Sequence, residues 1–346
     1  MDDGFRNTAG MNAPRIVDVA RAAGVSTATV SRALSNPDVV STKTRDAVLA
    51  AVAETGYRVN LAARNLRRRQ TGSIVVLTPY ISNPFFSRIL AGIARVASEA
   101  GVNVLVVDTQ EGGGASRRLA DYLDGNRADG LIVLDGALPP SIFSGPRRPP
   151  VVFACEWVDD RDQIAVTIDN RKGAALAVEH LLALGHRAIG HVSGPSDNVL
   201  TQQRAEGVAD ALASAGRPGA PHWSFRGDFT LDSGLAAARE WLTLASRPSA
   251  VFFASDAMAL GFIAELNRHG VRVPEDVSAV GFDDIEIAPH FIPPLTTVRQ
   301  PRAEIGETAA HILLGLIRDS DRERPASVIL PAELVVRGST APHKPT

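Results

Sequence analysis

Between Ile16 and Leu34 the apolar positions repeat at helical spacing, broken once. Ile16, Val19, Ala20 and Ala23 form one stripe, and Gly24 ends it because glycine tolerates the left-handed conformation at a helix C-terminus. Ser26 offers an N-cap hydroxyl to a second helix, Thr27 to Leu34, with Val30 and Leu34 on one face and Thr27, Ala28, Ser31 and Arg32 elsewhere. A turn at Ser35-Asn36-Pro37-Asp38 precedes a third helix, capped by Ser41 or Thr42 and running to about Thr55, with Ala47, Val48, Ala51 and Val52 as its apolar face. Gly56 ends it and Tyr57 packs back. The spacing predicts a three-helix domain containing a helix-turn-helix, and it also suits a plain helical hairpin with an apolar seam. In a helix-turn-helix, the second helix enters the major groove and needs small or short polar residues near its start. Thr27, Ala28 and Thr29 meet that need, and Ser26, Ser31 and Arg32 are the further DNA-binding candidates of this helix.

From Gly72 the pattern changes period. Short β-branched runs (SIVVLTP, VNVLVVDT, DGLIVLDG, PVVFACE, RAIGHVSG, HWSFRGDF, AVFFASD, VSAVGFDD) alternate with helical segments, among them SRILAGIARVASEAG, one reaching about Asn126, and 172–184, 202–215, 231–244 and 257–269. Continuous apolar strands separated by helices predict parallel sheet covered on both faces. Two successive doubly wound units make a two-lobed α/β body.

Composition narrows the class. The 346 residues suit two or three domains. A single cysteine, Cys155, excludes an intramolecular disulfide framework and fits a reducing cytoplasm. No apolar run approaches the roughly 20 residues of a membrane span, and residues 1–13 read as a polar, disordered leader without a signal-peptide core. The net charge of −2 conceals a division: residues 1–70 hold 11 Lys/Arg against 6 Asp/Glu, and the remainder 25 against 32. Only the first segment suits a polyanion.

Residues 60–70, NLAARNLRRRQ, are the most basic stretch. Asn60 can cap a short helix with Ala63 and Leu66 three apart and Arg64, Arg67, Arg68 and Arg69 around them. An isolated helix of two turns is marginal in water, so the free segment reads as a basic linker.

DVARAAGVSTATVSRAL resembles the DNA-binding domain of the LacI/GalR (lactose-repressor) family. VTIDN (166–170), HLLALGHRAIGHVSGP (180–195), SDAMALG (255–261), VPEDVSAVGFDD (273–284) and PPLTTVRQP (293–301) resemble that family's periplasmic-binding-protein-like core. The resemblance spans about 14–340. Two departures stand out: Arg15 replaces the threonine that caps the family's first helix, and Val59 replaces the proline before its hinge helix. The resemblance implies that 60–71 folds on the operator, pairs with its twin and wedges Leu66 into the minor groove, where apolar wedges kink the duplex. It also implies a helix-turn-helix domain over 14–59 and an effector-binding, dimerising body over 72–340. The expected lobe crossings lie near 168–171, 294–299 and 326–329, giving lobe 1 as about 72–168 plus 299–326 and lobe 2 as about 169–295 plus 327–340.

Ligands of open parallel sheets bind beyond the strands' carboxyl ends. Asn83, Phe85 and Phe86 follow the first strand, Glu156 and Trp157 follow PVVFAC, and Asp256 and Asp283 follow strands of the second lobe. By resemblance Arg204 and Asp283 contact effector, and Phe229, in RGDFT, matches a ring-stacking position of the purine and cytidine repressors. A carboxylate can accept two hydroxyls, a guanidinium can donate to one, and an aromatic face can cover a sugar or base. Arg204 and Asp283 also suit an interlobe salt bridge, the aromatics suit the core, and Asp256 and Asp284 are expected to hold loops.

Other constellations carry little. His180, His186 and His191 do not share a helical face as zinc ligands would. Gly112-Gly113-Gly114 lacks P-loop companions, and neither a G-x-S-x-G elbow nor a histidine spaced to activate Cys155 is found. No catalytic residue, metal or cofactor is expected. The expectation is a cytoplasmic, nucleoid-associated regulator, most often a repressor, that binds a pseudo-palindromic operator as a homodimer. RGDFT and PPLTTVRQPRAEIG look closest to the cytidine-repressor branch, making a nucleoside the first effector and a sugar or sugar phosphate the second. A solute-binding protein, or a sugar- or nucleoside-processing enzyme, would share the body.

Overall fold

The structure, a computed structural model, describes residues 14–58, 70–110, 128–143, 148–158, 163–217, 219–319 and 323–344. It divides at Arg69 into two compact units. The leader, the hinge residues Asn60, Ala63, Arg64 and Leu66, the glycine run at 112–114 and the helix expected near Asn126 lie outside the described residues.

The N-terminal unit is built from α1 (Ile16–Ala22), α2 (Thr27–Ser35) and α3 (Thr42–Thr55). Val19, Val30 and Val48 are wholly enclosed, with Ala20, Ala33 and Ala51 filling between them. One contact from each helix reaches the centre, which lets a small core hold three helices. Ala47, expected on the apolar face of α3, is exposed, because the helix turns only Val48 and Ala51 fully inward. Gly24 and Gly56 take φ of 65° and 66° where α1 and α3 stop. Although Arg15 cannot cap as a threonine would, Asp18 accepts its backbone N–H at 2.8 Å and so closes the N-terminus of α1 from the other side.

In the second unit, β1 (Ser73–Thr78), β2 (Asn103–Asp108), β3 (Gly130–Val133), β4 (Val151–Ala154), β5 (Ile164–Ile168) and β11 (Val328–Leu330) form one all-parallel sheet in the order β11-β5-β4-β3-β1-β2. The other sheet runs β12-β10-β9-β8-β6-β7. It is built from β6 (Ile189–Ser193), β7 (Trp223–Arg226), β8 (Ala250–Phe253), β9 (Ser278–Asp283), β10 (Thr296–Arg299) and β12 (Glu333–Val335), and is parallel except for β12. Helices α4 (Phe85–Glu99) and α9 (Arg302–Arg318) serve the first lobe. Helices α5 (Asn170–Ala183), α6 (Val199–Ser214), α7 (Leu231–Thr243) and α8 (Asp256–Arg268) serve the second. The crossing of α4 and α9 is close because Gly92 and Gly306 each lie against backbone of the opposite helix, where a Cβ would collide.

Two lobe boundaries fall later than expected. β10 still belongs to the second sheet, so the chain crosses at 300–301 and not within 294–299. β11 pairs with β5 in the first sheet, which moves the last crossing to 331–332. Between β5 and α5 the chain crosses at Asp169, whose carboxylate accepts the Lys172 N–H at 2.8 Å and starts α5.

Candidate functional site

A cleft of about 560 Å³ separates the two lobes, and its walls are the loops that follow β1, β2, β3 and β4 on one side and β6, β7, β8 and β9 on the other. Parallel strands present their carboxyl ends together, so both lobes contribute the same kind of edge. Tyr80, Asn83, Phe86, Asp135 and Glu156 face it from lobe 1, and Asn198, Asp228, Phe229, Leu231 and Ile287 from lobe 2. A recess of about 50 Å³ continues inward between Phe85, Phe86, Glu156, Leu200, Arg204, Phe229 and Asp283.

The structure brings most of the expected residues together. Phe86, Glu156 and Phe229 line both cleft and recess, while Phe85, Arg204 and Asp283 line the recess alone. Trp157 lines neither: it packs with Phe153 and Leu138 on the outer side of the first sheet. The tyrosine, the two aspartates at 135 and 228, and Asn198 were missed, being single residues in unpatterned loops.

Arg204 lies on the floor and is 2% exposed. Its Nε donates to Asn170 Oδ1 at 3.0 Å, one terminal nitrogen donates to the Ala254 carbonyl, and the guanidinium sits 3.8 Å over the Phe282 ring, with Asp283 at 3.9 Å. Burial pulls its pKa down, while the Asp283 and Glu156 carboxylates push it back. Asp283 accepts from Gln300 Nε2 at 2.7 Å. Burial raises its carboxyl to about 6 against the pull of Arg204 and Arg302. Asp256 behaves as a loop holder, as expected: it accepts the Ile285 N–H at 2.9 Å and the Thr297 hydroxyl at 2.5 Å. Asp284 does the same through Arg299 and Arg337 at 2.6 and 2.7 Å.

Among the described residues, one side-chain hydrogen bond bridges the cleft walls. Asn198 Nδ2 donates to Glu156 Oε1 at 2.9 Å, and Glu156 Oε2 accepts the Gly136 N–H at 2.7 Å. Burial raises the Glu156 pKa; these two donors oppose the rise. Outside the cleft, Arg302 of α9 donates to the Asp284 carbonyl at 2.8 Å and Arg88 of α4 pairs with Glu286 at 2.6 Å, tying lobe 1 to the loop after β9. The non-glycine residues with left-handed backbone among those described are Cys155, Phe229, Asp283 and Asp284. All four follow or end cleft strands, and such conformations, at about 1–3 kcal/mol each, persist where surrounding structure enforces them.

On the N-terminal unit, Ser26, Thr27, Ala28 and Arg32 are exposed and Thr29 and Ser31 half-buried. Ser26 Oγ accepts the Thr29 N–H at 3.1 Å and pairs with the Thr29 hydroxyl at 2.9 Å, so these two side chains are engaged in the cap. Thr27 and Ala28 are left to present chemistry outward, together with Arg32, which is exposed and whose Nε donates to the Ala28 carbonyl at 3.3 Å. The three histidines of the central region do not converge: His180 bonds Thr340, His186 bonds Ser249 and Ala341, and His191 stacks on Phe252.

Comparison with known proteins agrees. Residues 15–60 match the model for bacterial regulatory proteins of the lacI family, and residues 178–340 that for a periplasmic binding protein-like domain. The HTH-type transcriptional repressor CytR of Escherichia coli (strain K12) is 40% identical over 325 residues, covering 93% of this chain and 95% of that one. A lac repressor dimer bound to operator and the anti-inducer ONPF matches with a TM-score of 0.82 at 32% identity, covering 95% of this chain and 100% of that one. The CelR–cellobiose complex matches with a TM-score of 0.71 at 34% identity, covering 94% and 99%. Relatives of this kind are regulators and not enzymes, and the match at 15–60 leaves no room for a plain solute-binding protein. The chain belongs to the LacI family of bacterial transcriptional regulators.

Proposed function

We propose that this regulator is a repressor that binds a pseudo-palindromic operator as a homodimer and is switched by an unphosphorylated, hydroxyl-bearing effector with a flat or apolar part. A nucleoside is the first candidate and a neutral sugar the second. The observation that carries the effector class is the charge of the cleft wall: Asp135, Glu156, Asp197 and Asp228 line it, and among the described residues no lysine, arginine or histidine does. Carboxylates accept hydroxyls and repel phosphate. Arg204, which could have received a phosphate, is enclosed and already held by Asn170, Ala254 and Asp283. Phe86, Phe229, Tyr80 and Leu231 supply faces for a base or the apolar side of a sugar. A sugar phosphate, the other ligand considered, does not suit such a wall.

In this reading Thr27, Ala28 and Arg32 meet base edges, with Ser26, Thr29 and Ser31 setting the helix. The segment with Asn60, Ala63, Arg64 and Leu66 enters the minor groove, and the protein acts in the cytoplasm on nucleoid DNA. Effector shifts operator affinity only by its differential affinity for two lobe arrangements. A thermal-shift panel of nucleosides, neutral sugars and the phosphates of both tests the effector, followed by operator binding with any hit. Selective stabilisation by a nucleoside or neutral sugar that also alters operator affinity supports the proposal. Selective stabilisation by a phosphorylated compound overturns the effector class.

A further inference from the structure

A second hollow, of about 390 Å³, lies in lobe 2 between α6 and the β6–β7 edge, closed at one end by residues 219–221. No residue lines both it and the cleft. The α6 wall is mostly apolar, from Ala205, Val208 and Ala209, with Thr201 near its N-terminal end; the strand wall carries His191 and Arg226. His191 Nε2 and Thr201 Oγ1 are buried and have no hydrogen-bond partner, in side chains 5% and 6% exposed. A buried polar atom left without a partner costs stability, so a ligand that supplies one is favoured there. Burial and the nearby Arg204 charge bring the His191 pKa down to about 4, so at neutral pH the ring offers one N–H donor and one bare nitrogen. Arg226 is exposed, and no ion pair is formed by it among the described residues.

We propose that this hollow is a second ligand site, for a small hydroxylated carboxylate, whose carboxylate meets the Arg226 guanidinium and whose hydroxyls meet His191 and Thr201. A guanidinium forks onto a carboxylate with two parallel hydrogen bonds, and the two inner atoms offer both donor and acceptor to hydroxyls. The apolar wall of α6 covers the carbon chain. The volume lies within the range of small-molecule pockets. The site also has a route to the cleft: Gly194 separates Thr201 from Phe229 so closely that a Cβ there would run into both side chains. A ligand that moves Thr201 therefore bears on the cleft wall.

The test is isothermal titration calorimetry of the full-length protein with gluconate as probe, and with glucitol, which has the hydroxyls without the carboxylate. Saturable gluconate binding is expected, with glucitol weaker by about tenfold. Arg226→Ala should weaken gluconate by about tenfold without lowering the melting temperature, since Arg226 supports no described contact. Thr201→Val should weaken it severalfold, and Asp228→Asn, in the cleft, should leave it unchanged. The proposal is overturned if gluconate shows no saturable binding, if Arg226→Ala binds it as tightly as wild type, or if Asp228→Asn abolishes it.

Discussion

Asn198 has two duties that a pair of substitutions can separate. Its Oδ1 accepts the Leu200 and Thr201 N–H groups at 2.9 and 3.3 Å and so caps α6. That cap fixes which way the amide points, and Nδ2 is thereby aimed across the cleft at Glu156. Serine caps a helix about as well as asparagine, so Asn198→Ser should keep α6 and lose only the bridge. Glu156→Gln keeps the shape but must set an NH2 against either the Gly136 N–H or the Asn198 NH2, because neither donor can turn into an acceptor.

A hydrogen bond to a charged group is worth about 1.5–3 kcal/mol, and the burial that raises the Glu156 pKa takes back part of it. We expect each single variant to lose about 1–2 kcal/mol and the double variant clearly less than the sum, a coupling of about 1 kcal/mol. Denaturant unfolding at fixed protein concentration measures it, since dimerisation would otherwise enter the result. The pH dependence supplies a sign. Without its donor, Glu156 should hold its proton to higher pH, so the Asn198→Ser penalty should shrink as the medium is acidified. A coupling within about 0.5 kcal/mol of zero, the scatter of independent sites, would refute the bridge.

Three further outcomes follow from other parts of the chain. Ser26→Ala should cost α2 about 1 kcal/mol through its lost cap and lower operator affinity; unchanged affinity in a gel-shift titration would show that DNA contacts alone hold the helix start. Arg32→Ala should relax specificity at particular base pairs, and a uniform loss across all sequences would make Arg32 a phosphate contact instead. Asp283 has a folded pKa of about 6 against 3.8 ordinarily, so the native state keeps a proton that the unfolded chain releases. Its contribution to stability is full below about pH 4 and is lost as pH rises to about 6, at most about 3 kcal/mol for this shift. Asp283→Asn should flatten that decline in a melting series, and an unaltered slope would remove the assignment.

How far the chain could be read from its letters depended on whether the signal was local. The caps at Ser26 and Ser41 and the stops at Gly24 and Gly56 are decided within four residues, so α1 to α3 could be placed closely. The β-branched runs marked β1 to β4 and β6 to β9, because most of these strands are apolar on both faces. The remaining strands were not marked, and two of them, Val328–Leu330 and Glu333–Val335, are edge strands of three residues each, for which only pairing shows that one joins lobe 1 and the other lobe 2. The exchange at 331–332 was therefore not visible as a pattern.

The cleft shows the same division more sharply, and Trp157 illustrates it. Along β4 successive residues alternate between the two faces of the sheet: Val152 and Ala154 belong to the core cluster shared with the helices of both lobes, while Val151 and Phe153 belong to the outer one. That parity breaks at Cys155, which joins the inner cluster beside Ala154; beyond it Trp157 packs with the outer cluster and Glu156 faces Asn198. Adjacent residues after a strand thus cannot both be ligand contacts unless the backbone turns, and the left-handed Cys155 at φ 68° turns it without bringing Trp157 round. Asp135 and Asp228 had no parity to betray them, since each stands alone beyond its strand. They become a site only because parallel topology gathers strand ends from distant parts of the chain, and their shared charge, on which the proposed effector class rests, exists only once the two lobes face each other.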